Sequence, residues 1–223
     1  LAENLQRHAD QSKKWRMSTV LVSCHEEFFK LAQGMISSAD AIAYAPVGEA
    51  FSLEHLAKFK DLQIKPLVVF NEFPNTSLHN ITVDNRRGGA MAASFLLSAR
   101  HRKIALLYSE PFIEPCLNRV RGFTDALAIA GLEPVFIDCK VKRDDNRYDR
   151  AYATMREQLR QGLDVTAVFA VSDYGAWGAL DAIKDSGLSI PDDISLIGFD
   201  GLPFTGRLQP SLSTIAQPMS EIT

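Results

Sequence analysis

Gly187-Leu188-Ser189-Ile190-Pro191-Asp192-Asp193-Ile194-Ser195-Leu196-Ile197-Gly198-Phe199-Asp200 is the stretch that decides the fold. Upstream of it, Asp173 to Ser186 carries an apolar stripe at three-to-four spacing and reads as a helix. Gly187 then stands just past the last turn, where a left-handed residue closes a helix, and Pro191 blocks any continuation. Ser195 to Phe199 is a short apolar run of the kind that forms a parallel strand covered by helices on both faces. Asp200 ends that strand. In open parallel sheets, ligands bind at the carboxyl ends of strands, so this acid is a candidate site residue.

Working outward, the same unit recurs. Thr19–Val22, Ala41–Tyr44, Leu67–Phe70, Ile104–Tyr108, Val135–Ile137 and Ala167–Ala170 read as further strands buried on both faces. Leu1–Trp15, Glu26–Ser37, Ser52–Leu62, Arg86–Ala99, Asn118–Ala130 and Arg147–Leu159 read as amphipathic helices. Strand alternating with helix predicts an α/β fold with parallel sheets flanked by helices and right-handed crossovers. Asn80–Asp84 and Gln209–Ile215 interrupt the rhythm as short extended pieces. Two such crossings suit a two-lobed protein: an N-terminal lobe over 1–83, a C-terminal lobe over 84–216, and a return towards the first lobe over 217–223.

Hydrophobic residues make up 46% of the 223 and charged residues 23%, an ordinary globular balance. The net charge of -3 argues against this chain gripping nucleic-acid phosphates by itself. Cys24, Cys116 and Cys139 cannot all pair and share no metal-ligand spacing, so they read as reduced thiols. No apolar run approaches the ~20 residues that span a bilayer. The sequence opens within a helical pattern and stops at Thr223 without an obvious final element, so it reads as part of a longer chain.

Polar residues at strand ends form the candidate list. Asp200, Asn71 and Tyr44 end strands; Asp173 opens a helix after one, and Arg119 lies near the start of the helix following Ile104–Tyr108. Each has a plainer reading: an N-cap for Asp173, a turn for Asp200, a surface arginine, a wall tyrosine with its hydroxyl bound locally. Enzyme motifs are absent: no phosphate-binding glycine loop, no nucleophile elbow, no His-Glu-x-x-His helix. His25-Glu26-Glu27 suggests metal, but adjacent helical positions face different ways, and a capped surface turn is the expectation. The chain is read as a non-enzyme with no metal or cofactor.

Four runs in order resemble the lactose/galactose-repressor family. They are Val83-Asp84-Asn85-Arg86-Arg87-Gly88-Gly89 with His101-Arg102-Lys103-Ile104-Ala105; Arg119-Val120-Arg121-Gly122-Phe123; Thr166 to Asp173 with Ala176 and Gly178; and Gly187 to Asp200, continuing through Pro210–Ile215 to Gln217-Pro218. The resemblance implies a type I periplasmic-binding-protein-like fold whose two lobes hold a small-molecule effector, a carbohydrate or sugar derivative, in their cleft. It also implies a cytoplasmic, homodimeric regulator reading operator DNA through an N-terminal helix-turn-helix not found in this sequence. On that resemblance Arg119 donates to the effector, Asp200 accepts from its hydroxyls, and Ser172, Asn71 and Tyr44 complete the effector-binding set.

Departures from the family pattern are specific. Ser172 replaces an asparagine, Arg100 replaces a glycine at a turn, and the family's first strand and the polar-aromatic loop after it are not found here. Lys140, Lys142, Arg143 and Arg147 stand where the family carries a ring-stacking segment; they read either as a solvated charged loop or as a preference for an anionic effector. The rival functions are a periplasmic sugar-binding protein of a transport system and an enzyme on the same scaffold.

Overall fold

A computed structural model of the chain describes residues 6–7, 16–18, 20–22, 24–35, 38–45, 53–62, 67–69, 79–108, 113–142 and 145–222. The chain divides into two compact units, Leu1–Val83 with Pro218–Thr223, and Asp84–Gln217.

In the first unit, α1 (His25–Gly34) and α2 (Leu53–Asp61) accompany a parallel sheet of β1 (Ala43–Tyr44), β2 (Leu67–Val69) and β3 (Asn80–Ile81) in that order. Its core is aromatic: Phe28, Phe29, Tyr44 and Phe59 pack with Leu62 and Val68. Two expectations fail here. Val20–Val22 is not a strand, and Leu21 is 91% exposed; an apolar run becomes a strand only beside a partner that takes its backbone hydrogen bonds. His25 is not in a surface turn but is buried at 1% exposure, sharing a 2.7 Å hydrogen bond between Nδ1 and the Tyr44 hydroxyl. Glu26, on the neighbouring face, is exposed and pairs with Lys58. Of the helix expected over Leu1–Trp15, the described residues are Gln6 and Arg7, both helical.

The second unit is a three-layer sandwich. Its helices are α3 (Asn85–Ser98), α4 (Glu114–Ile129), α5 (Arg147–Arg160) and α6 (Asp173–Asp185). Its strands are β4 (Ile104–Tyr108), β5 (Val135–Asp138), β6 (Ala167–Ala170), β7 (Ser195–Asp200) and β8 (Ser213–Ala216), all parallel in the order β5-β4-β6-β7-β8. Alternate residues feed two cores, as strand geometry requires. Ile104, Leu106, Phe169, Ile197 and Phe199 pack under α3 and α4, whereas Ala105, Leu107, Val168 and Leu196 pack under α5 and α6. A last short helix, α7 (Met219–Ile222), belongs to the first unit.

Two boundaries differ from the sequence reading. β5 is an edge strand, so Phe136 is 56% exposed rather than buried on both faces. α4 starts at Glu114, one turn before Asn118, because Pro115 occupies its first turn, where a missing N–H costs nothing. Arg119 therefore lies in the second turn.

Candidate functional site

The strand order reverses at β4: the chain runs from β4 out to β5 and returns across β4 to β6. This switch point is where two crossovers leave in opposite directions and open a crevice at the carboxyl ends of the strands. Arg119 reaches it from α4. Its position depends on a close helix crossing: a Cβ at Gly89 of α3 would overlap the Arg119 carbonyl, and one at Gly122 of α4 would overlap the Arg86 carbonyl. The paired glycines let the two backbones touch.

Arg119 is buried at 6% exposure. Nε donates to Asn85 Oδ1 at 2.9 Å, and Nη1 donates to the Val171 carbonyl at 2.7 Å, just past the end of β6. Nη1 also lies 2.9 Å from Asp200 Oδ1, and the guanidinium carbon sits 3.8 Å from the centre of the Phe199 ring. These contacts use Nε and Nη1, which leaves Nη2 as the donor for a ligand among the described residues.

Asp200 ends β7 with a positive φ of 126°, a strained conformation for a residue other than glycine. Oδ1 accepts from Arg119 and, at 2.8 Å, from Gln217 Nε2. Gln217 Oε1 is buried without a partner among the described residues, the kind of unsatisfied group that gathers at functional sites. Burial raises the Asp200 carboxyl pKa; the Arg119 guanidinium and the Gln217 hydrogen bond pull it back only in part.

Asp173 is not the N-cap of α6. Ser172 is, its hydroxyl accepting from the Gly175 N–H at 3.2 Å. Asp173, fully buried, instead accepts from the Leu202 N–H at 2.7 Å and the Thr214 hydroxyl at 2.6 Å. A carboxylate held by two donors ties the loop after β7 to β8, and burial raises its pKa despite them. Cys116, also buried, has its thiol pushed up to about 11 by burial, so it is not a nucleophile here.

The structure thus brings together Arg119, Asp200 and Ser172 from the expected set. Tyr44 lies in the first unit, stacked on Phe28 at 3.7 Å with its hydroxyl on His25, as a core residue. Asn71 lies outside the described residues. Sequence reasoning missed Asn85, Thr214 and Gln217 as site residues, although each stands inside a run it had singled out. Among the described residues no three His, Cys, Asp or Glu side chains are placed to hold a metal, and no helix is long and apolar enough to cross a membrane.

A family model for the periplasmic binding protein-like domain matches residues 93–223. The HTH-type transcriptional repressor CytR of Escherichia coli K12 is 34% identical over 162 residues, 71% of this chain and 46% of the repressor. The HTH-type transcriptional repressor PurR of Histophilus somni is 31% identical over 223 residues, 99% of this chain and 59% of the repressor. The chain spans about half the length of these curated relatives. Among solved structures, a LacI-family transcriptional regulator from Enterococcus faecium with bound ribose superposes with a TM-score of 0.81 at 26% identity, covering 99% of this chain and 80% of that one. The curated relatives are transcription regulators rather than enzymes.

Proposed function

Because the chain belongs to the periplasmic binding protein-like domain family, in the form carried by regulators of the lactose/galactose-repressor type, we propose that it is the effector-sensing part of such a regulator. It binds a small polyhydroxylated molecule, a sugar or sugar derivative, and couples that binding to operator affinity. The observation that carries this reading is the ion pair of buried Arg119 with partly exposed Asp200 at the strand switch point. With Nη2 as a donor and Oδ2 as an acceptor, the pair suits two neighbouring hydroxyls, one accepting and one donating, in charge-assisted hydrogen bonds. Ribose, bound in the Enterococcus faecium relative, offers such a diol.

Operator contact falls to a helix-turn-helix segment of the kind the relatives' names state, and the net charge of -3 suits a sensor rather than a phosphate-gripping module. The regulator acts in the cytoplasm as a homodimer, whose two reading heads must lie about one DNA turn apart. Coupling of ~1–3 kcal/mol between effector and operator changes affinity roughly 5–150-fold.

A thermal-shift screen of sugars, sugar phosphates and nucleosides tests the reading. A ligand at about 100 times its Kd adds about 2.7 kcal/mol of stability. At least one compound should raise Tm, and Asp200→Asn should erase the gain. A panel with no effect, or an unchanged gain in the variant, refutes the assignment. Sequencing the gene upstream separates the rivals: a helix-turn-helix is expected, and a secretion signal there would favour a transport protein.

A further inference from the structure

Asp200 holds a backbone conformation that a side chain disfavours. Its φ of 126° is followed by a left-handed Gly201 at 74°, so the chain turns sharply as it leaves β7. A residue other than glycine keeps such a conformation only where its surroundings over-determine it. On the sheet side, β7 stays in register with β8 up to Asp200 and Ala216, and the Gln217 N–H donates to the Asp200 carbonyl at 3.2 Å. Beyond the turn, the next two amides are also held. The Leu202 N–H donates to Asp173 Oδ2 at 2.7 Å. The Gly201 N–H donates to Thr214 Oγ1 at 3.2 Å, and that hydroxyl donates onward to Asp173 Oδ1 at 2.6 Å. Both amides after Asp200 thus end on one carboxylate, directly from Leu202 and through Thr214 from Gly201.

The fold makes room for this carboxylate in two ways. Ser172 takes the capping role at the start of α6, which frees the Asp173 side chain to reach across to the end of β7. Gly198, in register with Thr214, leaves the space it fills: a Cβ there would stand 2.5 Å from Asp173 Oδ1. Asp173 is fully buried, so each of its hydrogen bonds is costly to lose, because the partner left behind is cut off from water.

We propose that Asp173 is a positioning residue of the effector site: through Thr214 and the Leu202 N–H it holds Asp200 in its strained conformation and so aims that carboxylate at the ligand. The inference rests on the reading of Asp200 as an effector acceptor and adds the group that sets its geometry. With both oxygens engaged, Asp173 acts through Asp200 rather than on the effector. Strain at Asp200 has a use on this account. A glycine would take the turn freely but carries no carboxylate, so an aspartate stands there and the Asp173 relay keeps it in place. Once the relay is cut, Asp200 relaxes towards the extended φ of an ordinary strand. That rotation about N–Cα turns its Cα–Cβ bond and draws Oδ1 away from Nη1 of Arg119, now 2.9 Å distant.

The test has two arms on the full chain. The first needs no ligand: the three-bond coupling between N–H and Hα of Asp200, read by NMR, separates a positive φ from an extended strand. The second is calorimetric titration with ribose, the sugar bound in the Enterococcus faecium relative. Thr214→Val, which keeps the shape and removes the hydroxyl, should shift the coupling to the extended value. It should also weaken ribose binding about ten-fold, the scale of one charged hydrogen bond. Asp173→Asn should do the same where it folds, and Thr214→Ser, which restores the hydroxyl, should recover both. A coupling that stays unchanged in Thr214→Val overturns the inference, as does a relaxed coupling with undiminished affinity. Equal losses in Thr214→Val and Thr214→Ser overturn it too, because the hydroxyl is then not the link. Should the wild-type chain bind no ribose, the loss falls on the sugar reading of the site. The coupling then decides this inference by itself: relaxed in Thr214→Val it stands, unchanged it falls.

Discussion

Nη1 of Arg119 lies 2.9 Å from Oδ1 of Asp200, while the same guanidinium holds the Val171 carbonyl and the Asn85 side chain and covers the Phe199 ring. Arg119 is thus a brace of the second unit as well as a candidate ligand donor, and the two members of the pair are not equivalent to mutation. Arg119→Ala removes all four contacts and leaves Asp200 as a mostly buried, unpaired carboxylate. Breaking a buried pair from one side costs about 3–5 kcal/mol, and a loss of that order is expected in urea unfolding. Asp200→Asn keeps the shape and one acceptor oxygen, so its fold should survive with a smaller loss. Equal destabilisation by both would contradict the brace.

Acid should act on the fold and on the ligand in opposite directions. Asp200 and Asp173 both have carboxyl pKa values raised above the usual 3.8 by burial, so each binds a proton more readily folded than unfolded. Their contribution to stability is therefore fully present below 3.8 and is lost as pH rises through the folded values. A ligand that donates to the Asp200 carboxylate favours its ionised form. Its affinity should fall on acidification, starting above pH 3.8, by up to about ten-fold per pH unit. Titration of a bound sugar between neutral and mildly acid pH reads this directly, and Asp200→Asn should flatten the profile. Affinity that rises in acid would exclude Asp200 as an acceptor.

How much of this was legible beforehand follows from what each residue depends on. The strands β4, β6 and β7 and the acid at the end of β7 were readable because burial on both faces leaves a continuous apolar run, and strand polarity then marks the ligand end. Phe136 was misread because an apolar run is the same in a central and an edge strand, and only the sheet order tells them apart. The exchange of roles between Ser172 and Asp173 was hidden for a similar reason. Both are good caps, and what removes Asp173 from that role is Thr214, 41 positions away. The close approach of Tyr148 to Gly178 and Trp177 depends on the contact of α5 with α6, which no local pattern encodes.

The glycine crossing makes a prediction of its own. Gly89→Ala or Gly122→Ala puts a methyl group into the opposing backbone, which must move because a carbonyl cannot fold away like a flexible side chain. Overpacking of this kind costs about 1–3 kcal/mol. Since the carbonyl displaced by Gly89→Ala is that of Arg119, ligand affinity should drop with stability, and an added Gly122→Ala should cost less than its single-mutant value because the helices are already apart. Strictly additive losses with unchanged affinity would separate the crossing from the site.

Arg100 offers a change in the other direction. It follows the C-terminus of α3 with φ of 66°, the left-handed conformation that closes a helix, and its N–H and that of His101 bond the carbonyls of Leu97 and Leu96 at 2.9 and 3.1 Å. The residue is exposed, and no hydrogen bond or ion pair of its side chain is present among the described residues. The arginine therefore bears the steric cost of a Cβ in this region, about 1–2 kcal/mol, without a contact that offsets it. Glycine removes that cost but frees the unfolded chain, which returns about 0.4–1 kcal/mol. Arg100→Gly should stabilise the protein by about 0.5–1 kcal/mol, or about 2 °C in Tm for a chain of this size. Arg100→Ala, which keeps the Cβ, should gain nothing. If alanine and glycine stabilise equally, the gain comes from removing a charge rather than from the backbone, and the helix closure is not strained.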